Sequence, residues 1–141
     1  MKTALGIERT LLMKLGEERL LDFEALRAAG RFHSAIYMGG YALEAFLKCC
    51  ICKRLDSDKL PKVFEFHDLE NLLFFAGLKN ELNLNSSASQ AFEYIEERWL
   101  DATIRYEDPA DKRYDAFTCS NMHNCLHDPQ NGVISWLKLR S

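Results

Sequence analysis

Residues 31–55, RFHSAIYMGGYALEAFLKCCICKRL, form the stretch that decides the fold. Their apolar side chains recur every three or four positions, which predicts a single long helix with one buried stripe. The stripe consists of Phe32, Ala35, Ile36, Gly39, Leu43, Phe46, Leu47, Cys50 and Ile51. A helix of this length is expected to be the spine of a small domain.

A second face of the same helix carries polar and amphipathic side chains, also at helical spacing: His33, Tyr37, Tyr41, Glu44 and Lys48. Glu44 and Lys48 lie four positions apart, an orientation that stabilises an exposed helix by about 0.3–0.5 kcal/mol. From the spacing alone we expect a surface ion pair. The alternative is a groove between helices, where these residues would offer a cation, an acceptor and aromatic rings to a nucleotide.

Two adjacent glycines, Gly39 and Gly40, stand in the middle of this helix. Each costs about 1 kcal/mol relative to alanine in a helix interior. We therefore predict that another helix, or a ligand, comes close to the backbone at this point. A local kink without function is the alternative.

The composition indicates one soluble globular domain over residues 1–141, with its core at about 17–137. A net charge of −3 argues against a general nucleic-acid binder that neutralises many phosphates. The five cysteines, three of them in residues 31–55, do not resemble a disulfide framework. Because no run of about 18 apolar residues and no signal-peptide core are found, we expect a cytoplasmic protein without a membrane span.

The segments on either side of the long helix are read from the same periodicity. Residues 7–29 show helical spacing with a break at Gly16, and Gly30 stands just past a helix end, where a left-handed conformation is needed. An antiparallel helix pair is therefore predicted. Residues 56–66 are predicted to be a loop, because Pro61 blocks a helix.

The second half of the chain is predicted to contain shorter helices. Asp68 is placed to cap a helix that ends at Gly77, followed by a connection over 78–86. Ser87 and Gln90 have the spacing of a capping box for the next helix.

Pro109 is expected in the first turn of a further helix, and a last helical segment follows residue 132. No stretch alternates with period two, so the predicted fold is all-α, an antiparallel bundle of four to five helices. Its expected core includes Leu43, Phe46, Trp99 and Phe117.

One cluster has residue types that bind metals. Cys119, His123 and His127 are spaced four apart, but together they span about 12 Å of helix, too far for one tetrahedral site. The two histidines could supply two ligands, with the others from elsewhere. We expect surface histidines and a buried cysteine here, and assign neither a metal nor a cofactor.

Three short motifs in order resemble the HEPN family (higher eukaryote and prokaryote nucleotide-binding). The first lies in residues 31–55, and its matching residues are Arg31, Phe32, Ala35, Ala42, Glu44, Leu47 and Lys48. His67, Asp68 and Leu69 match the start of the next helix, and Arg105 with Tyr106 matches a later pair. The likeness covers most of the chain.

The resemblance implies a helical bundle, often a homodimer, that binds a nucleotide or polynucleotide phosphate or partners a nucleotidyltransferase in a toxin–antitoxin pair. It makes a non-catalytic binding module our first expectation, and an interaction subunit the alternative. The expected ligand-binding residues are Tyr37, Tyr41, Glu44, Lys48, His67, Arg105 and Tyr106.

A ribonuclease branch of that family carries arginine and histidine separated by four to six residues. Here Arg113 has no histidine at that distance, and His123 lies further along the chain. Arg27 and His33 have the required spacing, but they lie on either side of the turn between the first two predicted helices. Catalysis is therefore not expected, and a metal-independent ribonuclease using one of these pairs is kept as a further alternative.

Overall fold

The computed structural model describes residues 5–141, which are mostly helical (69%), as predicted. Within that range there are seven α-helices rather than four to five. They are α1 (Arg9–Ala28), α2 (Phe32–Arg54), α3 (Leu69–Phe75), α4 (Lys79–Asn83), α5 (Ser86–Trp99), α6 (Ala116–His127) and α7 (Val133–Lys138). The long helix α2 has the predicted extent and is covered by α1, α3, α5, α6 and α7.

Two short strands correct the expectation of a purely helical fold. β1 (Leu5–Glu8) pairs antiparallel with β2 (Lys59–Pro61), inside the segment predicted to be a loop. The pairing continues at its end, where the Arg9 backbone N–H donates to Asp58 O at 2.7 Å. Strands of four and three residues are too short for an alternating pattern to be visible, and their pairing joins distant parts of the chain.

The α1–α2 pair forms as predicted, with Gly30 in the left-handed region at φ +75°. Gly16 does not break α1, which is continuous. A Cβ on Gly16 would lie 2.9 Å from Phe46 Cε2, so this glycine lets α1 approach the ring of Phe46 on α2.

The glycine pair of α2 marks a close helix approach, which confirms the prediction and excludes a kink without a packing role. A Cβ on Gly40 would overlap the Trp99 ring, and one on Gly39 would lie 2.8 Å from Met122 Cε. The Trp99 indole then donates to Tyr37 O at 3.0 Å. The glycines thus seat α5 and α6 against the centre of α2.

Three of the four predicted core residues are confirmed, since Leu43, Phe46 and Trp99 are fully buried. The prediction that Phe117 belongs to the core is wrong, because 73% of this residue is exposed. It stands in the first turn of α6, whose buried face instead consists of Cys119, Met122 and Leu126.

In the second half of the chain, the predicted boundaries of α3 are confirmed and the predicted start of α5 is wrong. Asp68 caps α3 by accepting from the Asn71 N–H at 3.1 Å, and Gly77 follows α3 at φ +74°, both as predicted. The Ser87 capping box is wrong, because Asn85 caps α5 by accepting from Ala88 N–H at 3.1 Å.

Two further expectations about this half are wrong. The connection predicted over 78–86 contains α4. Pro109 precedes a set of turns, and the next helix starts only at Ala116, where Asp115 accepts from the Thr118 N–H at 2.8 Å.

α2 also has the length and apolar composition of a membrane span, which the search for consecutive apolar residues did not detect. In its most apolar 18-residue window, 83% of the residues are buried inside the fold. Core helices of soluble proteins share this composition, and the cytoplasmic location stays a prediction.

Candidate functional site

A pocket of about 380 Å³ opens between α1 and α2, and we call it the α1–α2 pocket. Its lining residues are Ile7, Leu12, Leu15, Arg19, Tyr37, Met38, Tyr41, Glu44, Ala45 and Lys48. Four residues of the polar face predicted on the long helix are therefore in one concave site. The volume is within the range of about 300–1,000 Å³ that small-molecule sites occupy.

The expectation that Glu44 and Lys48 form a surface ion pair is wrong. Their side chains are only 6% and 7% exposed, and Lys48 Nζ lies 3.5 Å from Glu44 Oε2. α2 is enclosed on several sides, so its polar face meets other elements rather than bulk water. The alternative of a groove between helices describes the observed arrangement.

His67 completes this ionic cluster from outside α2. Its Nδ1–H donates to Glu44 Oε1 at 2.6 Å, so the two carboxylate oxygens of Glu44 have different partners. The imidazole also packs edge-on against the rings of Tyr41 and Trp99, with centroids 6.1 and 6.4 Å away. Because His67 lies just before the α3 cap, the short helix positions it.

Tyr37 and Tyr41 form the aromatic part of the pocket. Their rings meet edge to face at a centroid distance of 5.0 Å, and Tyr41 continues to Trp99 at 5.6 Å. Burial, with a smaller contribution from the hydrogen bond to Tyr37, raises the pKa of Tyr41 to about 12. The Tyr41 hydroxyl is therefore neutral and able to donate at physiological pH.

Arg105 and Tyr106 lie at the edge of this region and are not among the residues that line the pocket in the described part of the chain. They belong to the 3₁₀ turn Thr103–Tyr106, and the Arg105 guanidinium lies 4.7 Å from the centre of the Tyr106 ring. Tyr106 and, less strongly, Tyr37 raise the pKa of Arg105. The Arg105 guanidinium donates to Ala102 O at 3.3 Å.

Arg19 is a pocket residue that the sequence analysis missed. Its Nε is a buried nitrogen without a hydrogen-bond partner among the described residues, although Asp22 Oδ2 lies 3.4 Å away. The signal was present, because Leu12, Leu15 and Arg19 share one face of α1 at helical spacing. This face of α1 can be recognised as a pocket wall only when α2 is packed against it.

The two candidate ribonuclease pairs have other partners. Arg113 contacts Asp111 and Glu107, and His33 donates to Ile104 O at 2.7 Å. His123 and Arg27 instead share Glu24, which binds His123 through Oε1 and Arg27 through Oε2.

The same glutamate brings the two α6 histidines together with α1. Glu24, His123 and His127 each offer a ligand atom, and these atoms lie within 4.8 Å of one another. Cys119 is not part of this group, because it is buried with its Sγ 3.5 Å from Phe32 O. Cys49, Cys50 and Cys52 are buried, and they are free, as expected from the lack of a disulfide framework.

Comparison with known proteins finds no match to this chain among family models, curated proteins or solved structures. The resemblance to the HEPN family stays a prediction based on the three motifs.

Proposed function

We propose that this protein is a HEPN-like, non-catalytic binding module whose α1–α2 pocket holds a nucleotide or a phosphate of a polynucleotide. The observation that carries the proposal is the convergence of Arg19 and Lys48 with the Tyr37 and Tyr41 rings in one apolar-walled cavity. Cations would bind phosphate oxygens, and aromatic rings would stack on a base.

Both cations keep hydrogen-bonding capacity for a ligand. Lys48 has three N–H donors and only an ion pair with Glu44 Oε2, 3.5 Å from its Nζ, and Arg19 has five donors in a planar fork. One carboxylate oxygen of Glu44 is hydrogen-bonded to His67, so Glu44 does not interact with Lys48 alone. A phosphate at the pocket mouth would thus meet two cationic side chains against a wall of Leu12, Leu15 and Met38.

Calorimetric titration with AMP, ADP, ATP and a short oligoribonucleotide tests this proposal. Arg19→Gln is the decisive variant, because Arg19 is partly exposed and its removal leaves no buried charge. We expect binding at least about 10-fold weaker than in the wild-type protein, as for loss of a charged hydrogen bond. Lys14→Gln, an exposed cation of the same helix outside the pocket, is the matched control.

Two results would count against the proposal. One is the absence of heat and of thermal stabilisation with every nucleotide and with the oligoribonucleotide. The other is equal affinity in the wild-type protein and Arg19→Gln, which would place any ligand elsewhere.

A second candidate function, an interaction subunit that forms a homodimer and pairs with a nucleotidyltransferase, is favoured by an exposed apolar surface. Leu55, Phe74 and Phe75 are exposed and, together with the partly buried Phe64, line a groove of about 630 Å³. The Phe75 ring contacts Phe64 and Phe74 at 5.3 and 5.5 Å. We call this set the phenylalanine patch; contiguous apolar surface of this kind marks interaction sites.

Light scattering coupled to size exclusion distinguishes this candidate. The wild-type protein should be a dimer and Phe74→Asp a monomer, whereas Leu21→Asp, at an exposed leucine of α1, should stay dimeric. A wild-type monomer at every concentration, or a dimer that survives Phe74→Asp, would remove the patch as a homodimer interface.

A further inference from the structure

We propose that Glu24, His123 and His127 form a binding site for one divalent transition-metal ion, represented by Zn²⁺, which links α1 to α6. This α1–α6 site shares no residue with the α1–α2 pocket and does not depend on the proposed function.

The geometry is close to that of a three-ligand zinc site. Glu24 Oε1 lies 3.5 Å from His127 Nε2 and accepts a hydrogen bond from His123 Nδ1. Bonds of about 2.0–2.2 Å to a tetrahedral ion place ligand atoms roughly 3.3–3.6 Å apart. The histidines are one helical turn apart, with ring centroids separated by 4.9 Å, so small side-chain rotations bring all three ligands onto one ion.

A ring nitrogen of His127 without a hydrogen-bond partner in the described part of the chain supports the presence of a metal ion at this site. His127 Nε2 is buried and has no hydrogen-bond partner among the described residues, although it lies near Glu24 Oε1. A buried ring nitrogen without a partner is unfavourable. A metal ion would satisfy it and would replace the hydrogen bond between His123 Nδ1 and Glu24 Oε1. A neutral His123 ring would then carry its proton on Nε2, and a proton would be released to solvent only from a protonated ring.

A neighbouring cation holds the carboxylate in place. Arg27 Nη1 donates to Glu24 Oε2 at 3.3 Å and Arg27 Nη2 donates to Ser120 Oγ at 3.3 Å. This leaves Oε1 directed at the histidines, which is the role that supporting residues have around metal ligands. The three side chains are 30–37% exposed, so an ion and a bound water can reach them.

The donor set selects the kind of metal. Two imidazoles and one carboxylate suit Zn²⁺, Co²⁺, Ni²⁺ and Cu²⁺, whereas Mg²⁺ and Ca²⁺ prefer sites made of oxygen ligands. We therefore expect no competition from Mg²⁺.

Titration of the untagged, metal-stripped full chain with Co²⁺, followed by visible absorption, tests the site, with Zn²⁺ affinity measured against a chromophoric chelator. We expect one ion per chain. Glu24→Gln, His123→Ala and His127→Ala should each weaken binding by about 100-fold or more, beyond the loss that follows removal of a supporting residue. His33→Gln, which removes a histidine outside the cluster, should bind like the wild-type protein.

Several results would overturn the proposal: no Co²⁺ or Zn²⁺ binding at micromolar concentration, binding unchanged in all three variants, or thiolate-to-cobalt charge-transfer bands, which would place the ion at cysteines. Circular dichroism confirms that each variant is folded. If a histidine variant does not fold, the partly exposed Glu24→Gln decides the outcome alone.

Discussion

Glu44 and Glu24 both accept a hydrogen bond from a histidine, but their surroundings differ. Glu44 is almost fully buried and shares its charge between His67 and the buried Lys48. Glu24 is partly exposed and faces two histidines on α6, with Arg27 on its far oxygen. The first cluster is therefore expected to contribute more to stability, because its carboxylate and ammonium are almost fully buried. The second is expected to contribute less to stability and to be open to a metal ion, because its three side chains are partly exposed and one of its nitrogens has no partner among the described residues.

The same substitution at both sites should separate these roles, and Glu44→Gln should have the largest effect. It leaves the Lys48 ammonium buried without a counter-charge, which typically costs about 3–5 kcal/mol. The free energy of unfolding from urea denaturation measures this loss.

The control for this prediction removes both charges. Glu44→Leu combined with Lys48→Met should be close to wild-type stability, because replacing a buried ion pair by apolar side chains is often neutral or stabilising. A double variant as unstable as Glu44→Gln would show that the uncompensated charge is not the cause.

Glu96 extends the comparison to a carboxylate with acidic neighbours. Burial, followed by the repulsion of Glu70, raises the pKa of Glu96 to about 7. The folded state therefore binds a proton that the unfolded chain releases above its ordinary pKa. This contribution to stability is complete below about pH 4.5 and is lost as the pH rises through 7.

Glu96→Gln should consequently be more stable than the wild-type protein at about pH 8, by roughly 1–2 kcal/mol once the partial exposure is allowed for. At about pH 4 the two proteins should unfold at the same urea concentration. A gain that does not vary with pH would contradict the raised pKa.

Glu24→Gln should have the smallest effect on the metal-free protein, about 0–1 kcal/mol, because its ion pairs are partly exposed. Its urea midpoint, measured in the presence of a chelator, should therefore stay near that of the wild-type protein. A loss as large as that of Glu44→Gln would make this cluster a structural one.

Part of the pocket was predictable, since the helical spacing of α2 placed Tyr37, Tyr41, Glu44 and Lys48 on one face. Their burial was not, because periodicity shows which residues share a face and not what covers that face. Arg19 was missed for the same reason. Glu24 meets His123 across 99 positions of sequence, a contact that no local pattern records.

The sequence by itself determined the long helix, its buried stripe, the Asp68 cap and the glycines at positions 30 and 77. These features depend on side-chain spacing and backbone preferences within a few residues. Only the tertiary structure decided that β1 pairs with β2, that the Glu44–Lys48 pair is buried and that Glu24 joins the α6 histidines. Each of these depends on which distant segments pack together, and this is set by the burial of the whole core.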